Sequence, residues 1–419
     1  MFVKEKTDRY LKTRCRYCDS SLEAPFLDLG TTPLANSFLT LEESQKNEFA
    51  CPLALYRCTT CGLVQLTHVV PPDLMFSNYL YVSSTTETFR RHFAAYAERV
   101  KQSLQKNEGT ILAIDIGSND GLLLSCYQNE GMTAVGVEPA KNLAKEANAK
   151  GLTTLNDYFG ERAVDKILKT YGPADIISAN NVFAHIDNIH DVCRNVCRLL
   201  HPEGVLIIEF PYLVTMCEEM LFDMIYHEHL SYVAVAPLIH LFRQFDLEIF
   251  SIEEVPTHGG SLRVFVQKKG ARRPIGREVE WFLESELRKG YGSAKTYQDF
   301  ARRVYQVKEE LVRFVDQIKA EEKSIAGYGA PAKGNTLINF CNMQPSQIDF
   351  IVDDNPLKQN LLTPGAHIPV VSSALLFHNP TDYVLIFAWN FAEEIIKKLD
   401  PLRQKGVRFI VPLPTPRVI

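Results

Sequence analysis

Short apolar runs alternate with amphipathic, helix-length stretches along most of the chain, and most of the runs end at a glycine or a polar cluster. Runs of this length predict buried strands, because a parallel strand covered on both faces has little polar surface. In the first two thirds of the chain they span residues 110–116, 133–138, 153–155, 174–179, 204–210, 247–255 and 261–267. The last two are joined by the short loop 256–260, which predicts a closing hairpin. This order predicts a doubly wound α/β fold.

A second α/β unit begins at residue 324, with further strand patterns at 347–352, 382–388 and 407–411 that predict an open parallel sheet. The charged stretch 270–322 between the two units predicts a helical connector. Its acidic positions form an expected exposed face: Glu278, Glu280, Glu284 and Glu286. At 419 residues the chain is long for one core. We expect three parts, residues 1–70, 71–268 and 269–419.

The overall charge excludes some functions. A net charge of −5 and a pI near 6.2 provide no electrostatic attraction to nucleic acid. The N-terminus is charged and lacks the apolar segment of a signal peptide, and no apolar run reaches the ~20 residues of a membrane span. We therefore expect a cytoplasmic enzyme with no nucleic-acid or membrane partner. Ten cysteines in such a chain indicate thiols or metal ligands rather than disulfides.

Two C-x-x-C pairs lie in residues 1–70: Cys15 with Cys18, and Cys58 with Cys61. Each pair can supply two thiolates from one tight turn, so together they predict a four-cysteine tetrahedral zinc site. All four positions would be filled by protein, which indicates a structural rather than a catalytic metal. We expect the zinc to hold together a module too small to be stable through its core alone.

The turn after the strand at 110–116 has the pattern G-x-N-x-G, with Gly117, Asn119, Asp120 and Gly121 as candidate ligand contacts. Glu138 ends the next strand and follows Gly117 by about 20 residues, the spacing at which a carboxylate holds ribose hydroxyls. The pattern lacks the three glycines of dinucleotide sites and the lysine of triphosphate sites. A ligand with a ribose and no pyrophosphate fits better, and S-adenosylmethionine is the common one.

Further donor contacts follow the third and fourth strands. Asp157 and Phe159 suit the edge and the face of an adenine, although a polar turn with one anchoring phenylalanine explains them almost as well. Asn180 and His185 follow the strand at 174–179. Ligands of parallel sheets lie beyond the carboxyl ends of the strands, so both residues are expected near the donor.

The segments 114–121 (IDIGSNDG) and 135–140 (VGVEPA) resemble the first two motifs of class I methyltransferases, and specifically of the sugar C-methyltransferases of deoxysugar biosynthesis. The segments 27–36 (LDLGTTPLAN), 226–229 (YHEH) and 258–265 (HGGSLRVF) are similar to the same family. The resemblance implies a zinc-binding module over 1–70 and a methyltransferase domain over 71–268. It implies a helical connector with a Rossmann-like domain over 269–419, which helps to hold a nucleotide-linked sugar.

The resemblance also implies the reaction. A methyl group would pass from S-adenosylmethionine to C-3 of a dTDP-linked 4-keto-deoxyhexose through an enolate formed by a general base. Histidine accepts protons near neutral pH without special tuning, but alternation along an extended segment does not choose between His227 and His229. The family pattern assigns the base to His229. It assigns substrate contacts to Tyr226, Glu228 and Tyr81, with Tyr79 as the substitute for Tyr81.

The other expected substrate contacts lie on loops and at the start of the second α/β unit: Ser83, Ser84, His185, His258, Lys333 and Asn335. Lys333 follows a strand and a glycine turn, where backbone N–H groups can cradle a phosphate. The order Lys-Gly is the reverse of that in a P-loop, so no ATPase is indicated. The alternative is a decayed second donor domain that is used only for packing.

Two other functions stay open from the residues alone. One is an RNA methyltransferase with a zinc ribbon, against which the acidic pI counts. The other is an oxidoreductase that binds a dinucleotide in the C-terminal unit, against which the missing G-x-G-x-x-G turn counts. The oligomeric state, monomer or homodimer, is not determined by the sequence.

Overall fold

The computed structural model describes residues 7–76, 87–104 and 109–419, apart from the side chains of Phe76 and His258. Three β-sheets organise these residues, with four, seven and six strands. They follow the chain from the N-terminus to the C-terminus. One strand departs from this order, and its departure shapes the candidate site.

The four-stranded sheet forms the N-terminal part, and its strands pair antiparallel in the order β1-β2-β3-β9. The strands are β1 (Leu27–Pro33), β2 (Ala50–Arg57), β3 (Val64–Leu66) and β9 (Ser231–Tyr232). The first three are consecutive, whereas β9 comes from the middle of the chain, directly after residues 226–230. The YHEH segment is therefore attached to the N-terminal sheet.

The seven-stranded sheet has the order β10-β11-β8-β7-β4-β5-β6. The five strands at one side of the sheet, β8, β7, β4, β5 and β6, are parallel. β11 pairs antiparallel to β8, and β10 pairs antiparallel to β11, so these two strands form a hairpin at the edge. The strands are β4 (Leu112–Ile116), β5 (Thr133–Val137), β6 (Thr154–Leu155), β7 (Ala174–Asn180), β8 (Leu200–Pro211), β10 (Leu247–Val255) and β11 (Ser261–Lys268). The predicted doubly wound fold and closing hairpin are confirmed.

Helices cover both faces of this sheet. Its middle strands are therefore fully buried, as Ile114 of β4 and Ile177 of β7 illustrate. The first helices of the described chain are α1 (Pro72–Phe76), α2 (Glu87–Ser103), α3 (Leu122–Asn129), α4 (Lys141–Ala149), α5 (Glu161–Tyr171), α6 (Ile189–Leu199), α7 (Leu213–Glu218) and α8 (Val235–Arg243). The order of the strands reverses at β4, between β5 and β7. Such a reversal opens a crevice at the carboxyl ends of the strands.

The six-stranded sheet of the C-terminal part has the order β14-β13-β12-β15-β16-β17. It is parallel except at the edge, where β17 pairs antiparallel to β16. The strands are β12 (Ile325–Tyr328), β13 (Phe350–Val352), β14 (Val370–Val371), β15 (Tyr383–Ile386), β16 (Arg408–Val411) and β17 (Arg417–Val418). The helices are α9 (Arg277–Arg288), α10 (Ala294–Ala320), α11 (Ala332–Phe340), α12 (Ala374–His378), α13 (Ala392–Lys398) and α14 (Asp400–Arg403).

The expectation that Glu286 lies on an exposed face is wrong. Its side chain is buried and accepts hydrogen bonds from the backbone N–H groups of Val235 (2.6 Å) and Ala236 (3.1 Å). It also accepts one from the hydroxyl of Tyr212 at 2.9 Å. Val235 and Ala236 begin α8, whose first N–H groups have no partner within the helix. Glu286 therefore caps α8 and joins the connector to the central part.

Helix α11 of the C-terminal part packs directly on the other two parts. The side-chain amide of Asn335 donates to the carbonyl of Ala35 at 2.7 Å, and the hydroxyl of Thr336 donates to the carbonyl of Ile225 at 3.2 Å. Ala35 precedes Asn36 in the N-terminal part, and Ile225 precedes the YHEH segment. The three parts of the chain thus meet around residues 222–229.

Candidate active site

The four cysteines of the two C-x-x-C pairs converge. The Sγ atoms of Cys15, Cys18, Cys58 and Cys61 all lie within 4.8 Å of one another. All ten cysteines are free thiols, and the Cys61 side chain hydrogen-bonds Cys15, which lowers the pKa of the Cys15 thiol. Thiolates are the ligands that zinc prefers, and four of them close a tetrahedral site. The cluster fits a structural zinc ion.

The turn after β4 needs glycine at Gly117, whose φ of +68° lies in the left-handed region. A Cβ at this position would lie 2.5 Å from Cγ2 of Val182, in the loop after β7. Sequence analysis selected Gly117 as a ligand contact, but a side chain at this position would first meet a neighbouring loop of the protein. The glycine therefore lets the ends of β4 and β7 approach each other at the crevice.

Glu138, directly after β5, is fixed by the same turn. Its buried carboxylate accepts the backbone N–H groups of Asn119 (2.8 Å) and Ala140 (2.7 Å). Burial raises the pKa of the Glu138 carboxyl, and the two N–H groups partly offset this effect. Each carboxylate oxygen has a second lone pair that can accept a ribose hydroxyl. The structure thus brings Gly117, Asn119 and Glu138 together at the turn after β4.

Asn180 ends β7 at the other side of the crevice. Both polar atoms of its side-chain amide are buried and have no hydrogen-bond partner among the described residues. Buried amides in folded proteins are nearly always hydrogen-bonded, so this one requires a partner that the protein does not supply. The Asn180 amide and the Glu138 carboxylate are therefore the groups that would contact a polar donor such as S-adenosylmethionine.

The other residues predicted to contact the donor are engaged with protein groups. Asp120 pairs with Lys150 at 3.2 Å, and Asp157 pairs with Arg162 at 2.6 Å. Gly121 is the N-cap residue of α3, and Phe159 is buried in the main hydrophobic core. The donor roles of these four residues stay predictions: Asp120, Gly121, Asp157 and Phe159.

Sequence analysis did not select Asn156, whose amide donates to the carbonyl groups of Glu138 (2.9 Å) and Pro139 (3.0 Å). This clamp joins the end of β6 to the end of β5. It fixes the backbone that carries the Glu138 carboxylate.

The YHEH segment forms a turn, not the extended segment assumed from alternation, and the backbone N–H of His229 donates to the carbonyl of Tyr226 at 2.9 Å. The turn separates the two histidines. Nε2 of His227 lies 3.0 Å from the carbonyl oxygen of Cys51, in β2 of the N-terminal sheet. Burial lowers the pKa of His227 to about 4, so its ring stays neutral in the core. His227 therefore attaches the YHEH segment to the N-terminal sheet.

His229 lies among the other residues predicted for the substrate. Its ring centroid is 4.0 Å from that of Tyr226 and 4.9 Å from that of His185. Its Nδ1 lies 2.7 Å from the carbonyl oxygen of Met224. A carbonyl oxygen can only accept, so Nδ1 carries the proton, and in the neutral ring Nε2 has the lone pair. This tautomer is the one that a general base acting through Nε2 requires.

Glu228 is buried beside this pair, and one of its carboxylate oxygens accepts a hydrogen bond from the side-chain amide of Asn36 at 2.6 Å. Sequence reasoning did not select Asn36, although it ends the segment 27–36 that carried the family resemblance. His185 belongs to the short 3-10 helix Phe183–His185, which follows Asn180. The histidine pair and the donor crevice therefore lie at the end of the same strand.

Several predicted contacts fall outside the described residues: Tyr79, Tyr81, Ser83 and Ser84. His258 lies in the 3-10 turn Thr257–Gly259, and only its backbone is described. The roles of these five residues stay predictions.

Lys333 and Asn335 lie on the first turns of α11. Lys333 is half-buried, hydrogen-bonds the side-chain oxygen of Asn390 and lies 5.4 Å from the ring centroid of Trp389. Burial lowers the pKa of Lys333, and the nearby carboxylate of Asp223 partly offsets this effect. Asn335 uses its amide nitrogen to bind the N-terminal part, as described above.

Three family models match successive parts of the chain. The model described as "Putative zinc binding domain" matches residues 15–76, and "Methyltransferase domain" matches residues 88–252. The model described as "C-methyltransferase C-terminal domain" matches residues 256–414. With the strand order, the glycine turn and the carboxylate after β5, they define a class I S-adenosylmethionine-dependent methyltransferase.

Within this class the chain belongs to the C-methyltransferase family. It is 35% identical over 405 residues to C-methyltransferase NovU of Streptomyces niveus, covering 97% of this chain and 96% of that protein. The chain is thus an S-adenosylmethionine-dependent C-methyltransferase with S-adenosylmethionine and zinc as its cofactors. This assignment favours C-methyl transfer over the two alternative functions considered from the sequence.

Solved methyltransferase structures show more distant similarity. One from Clostridium acetobutylicum is 13% identical, with a TM-score of 0.35, covering 43% of this chain and 92% of that chain. The magnesium protoporphyrin IX methyltransferase of Synechocystis, solved with bound S-adenosylmethionine, is 12% identical, with a TM-score of 0.31, covering 43% and 77%. Separately, the described residues contain no helix that is long and apolar enough to cross a membrane.

Proposed function

We propose that this C-methyltransferase acts on C-3 of a nucleotide-linked 4-keto-deoxyhexose, with dTDP as the nucleotide carrier. The resemblance of the YHEH and HGGSLRVF segments to the sugar C-methyltransferases supports this substrate class. A four-cysteine cluster of free thiols suits a reducing compartment, so we place the reaction in the cytoplasm.

The tautomer and the ring contacts of His229 are the main support for this proposal. Its Nδ1 donates a hydrogen bond to the carbonyl of Met224, and its ring packs against those of Tyr226 and His185. A carbon next to a ketone becomes a nucleophile only after a base removes its proton. The orientation and tautomer of His229 suit that step, since the lone pair of Nε2 can accept the proton.

Nε2 of His229 takes the proton from C-3, and the electron pair of that C–H bond forms an enolate with the 4-keto oxygen. S-adenosylmethionine supplies an electrophilic methyl carbon, so that a C–C bond forms as the C–S bond breaks. Tyr226 and Glu228 hold the sugar beside His229, and the imidazolium later releases its proton to water. Positioning of two ligands accounts for much of the rate.

We assign the nucleotide to the side of the site formed by α11. The ammonium group of Lys333 is partly removed from water, which lowers its pKa. A bound phosphate group would stabilise its charged form. Asn335 lies within the same helix and lines a small gap shared with Tyr226. A sugar held beside Tyr226 would thus place its phosphates toward the C-terminal part.

His229→Ala tests the proposed base. We expect this variant to lose methyl transfer and the exchange of the C-3 proton with deuterated solvent, because no lone pair remains at that position. Both reactions are followed by mass spectrometry with dTDP-linked 4-keto-deoxyhexoses. Calorimetry should show unchanged S-adenosylmethionine binding, and His378→Ala, an exposed histidine on α12, should behave like the wild type.

Persistent exchange in His229→Ala would move the base to another residue, with Glu228 tested next. If the wild type methylated none of the 4-keto sugar nucleotides offered, the substrate class would be refuted. The assignment to the C-methyltransferases would stand, since it depends on the family models and the relative.

A further inference from the structure

Hydrogen bonds to the N-terminal sheet, which is part of the zinc module, hold the YHEH segment in place. β9, which directly follows it, pairs with β3 through Ser231 and Tyr232. The backbone N–H of Leu66, in β3, donates to the carbonyl of Leu230 at 3.0 Å. Together with the contact of His227 with Cys51, these bonds attach both sides of His229 to the N-terminal sheet.

Arg16 lies between the zinc ligands Cys15 and Cys18, and its side chain is only 5% exposed. Its guanidinium donates to the carbonyl of Leu66 at 3.0 Å and to the carbonyl of Leu230. Its Nε lies 3.7 Å from a carboxylate oxygen of Asp187. The buried guanidinium thus hydrogen-bonds two backbone carbonyl groups and lies within ion-pair distance of Asp187, and its planar shape restrains the relative positions of these three partners.

The partners of Arg16 lie next to the two histidines of the candidate site. Leu230 directly follows His229, and Asp187 lies two residues after His185. The rings of His185 and His229 have centroids 4.9 Å apart. One guanidinium thus joins the two loops that carry the two rings, and a shift of either loop would change the distance between the rings.

The backbone around Arg16 is fixed in turn. Its own N–H donates to the side-chain oxygen of Gln65 at 3.1 Å. The carbonyl oxygen of Tyr17 lies 3.0 Å from Nε2 of His190 and accepts a hydrogen bond from the amide of Gln244 at 2.9 Å. The first cysteine pair therefore sits on α6 and on the end of α8, and a bound zinc would fix the turn from which Arg16 projects.

We propose that the zinc module positions the ring of His229 against that of His185 and that Arg16 is the positioning residue through which it does so. The inference rests on the proposed function for the role of His229. It goes further in assigning the module a part in the chemical step. The competing view is that Arg16 only stabilises the fold by satisfying buried carbonyl groups.

The test compares Arg16→Lys and Arg16→Met in the full chain with the matched pair Arg14→Lys and Arg14→Met. Arg14 lies in the same module, but its side chain pairs with Asp19 on the surface. Elemental analysis gives the zinc content, and calorimetry with S-adenosylmethionine counts the folded donor sites. The turnover number for methyl transfer and the rate of C-3 proton exchange are then expressed per donor site.

We expect Arg16→Met to lower both rates by roughly 10–100-fold per donor site, because small misplacements of catalytic groups have effects of this size. Arg16→Lys should fall between this variant and the wild type, since a single ammonium reaches fewer partners. The Arg14 variants should match the wild type. If Arg16→Met does not fold, Asp187→Asn replaces it as the test, because this substitution weakens the ion pair with Arg16 by removing the negative charge. It should lower both rates to a smaller extent.

A second readout needs no sugar. Nitrogen NMR of the histidine rings identifies His229 as the signal missing from His229→Ala, with the proton on Nδ1 in the wild type. We expect this signal to change its tautomer ratio or its titration in Arg16→Lys and to stay constant in Arg14→Lys. Wild-type rates per donor site in the Arg16 variants, with an unchanged His229 signal, would overturn the inference. If His229→Ala still exchanges the C-3 proton, the proposed function fails instead, and the NMR comparison still decides the role of Arg16.

Discussion

At the scale of single residues, Glu138 combines two tasks. Its carboxylate holds the turn after β4 through Asn119 and Ala140, and it stands where the ribose of the donor would bind. We predict that Glu138→Ala weakens S-adenosylmethionine binding by about 2–3 kcal/mol, because charge-assisted hydrogen bonds to the ribose are lost. Isothermal calorimetry measures the change.

The matched control is Glu130→Ala, because Glu130 lies at the end of α3 and pairs with Lys101 at 3.1 Å on the surface. It should leave the affinity unchanged. An unchanged affinity in Glu138→Ala would mean that the ribose is held elsewhere. A lower melting temperature with unchanged affinity would show that Glu138 serves only the turn.

The two histidines of the YHEH segment show where sequence reasoning ends at this scale. Residue chemistry selected histidine as the base, but alternation did not choose between His227 and His229. The structure distinguishes them by their partners: the ring of His227 contacts the carbonyl of Cys51, far away in the sequence, and the ring of His229 contacts the carbonyl of Met224, which belongs to no motif. Backbone carbonyl groups leave no mark in the sequence, so neither partner could be predicted.

At the scale of elements, the buried strands were predictable because each is a continuous apolar run. The predicted run at 247–255 coincides with β10, whereas β8 begins at Leu200 rather than at residue 204. β9 (Ser231–Tyr232) and β17 (Arg417–Val418) each combine a polar residue with a single aromatic or apolar one, so no apolar run marks them. β9 was therefore missed, although it connects the zinc module to the candidate site.

Glu286 shows a second limit at this scale, since a charged residue on a charged helix looks exposed. We predict that Glu286→Ala destabilises the start of α8 by about 1–3 kcal/mol, because the N–H groups of Val235 and Ala236 lose their buried acceptor. Hydrogen exchange of these two amides, followed by mass spectrometry, should accelerate. Glu280→Ala, at an exposed position of the same helix, is the control. Unchanged exchange in Glu286→Ala would show that water replaces the carboxylate.

At the scale of the whole molecule, the local motifs were predictable and their convergence was not. The G-x-N-x-G turn, the cysteine pairs and the YHEH segment are each contiguous or nearly so. Their common location depends on β9 joining the first sheet and on α11 packing against Ala35 and Ile225. We still propose a division at residues 70 and 268, with the candidate site formed where the three parts meet.

Lys333 tests whether the C-terminal part binds substrate or serves only for packing. We predict that Lys333→Ala raises the KM for the dTDP-linked sugar by roughly 10-fold, the effect of losing about 1.4 kcal/mol from one charged hydrogen bond to phosphate. S-adenosylmethionine affinity should not change, because the donor crevice lies in the central sheet. Steady-state kinetics at saturating donor measure the KM.

The control for this prediction is Lys398→Ala, because Lys398 belongs to the same part of the chain and its side chain pairs with Asp354 at 2.6 Å. It should leave the KM unchanged. The contacts of Lys333 with Asn390 and Trp389 also allow a packing role. A Lys333→Ala variant that unfolds at lower temperature and keeps its KM would establish that role. A raised KM at an unchanged melting temperature would establish that the C-terminal part contacts the phosphates of the substrate.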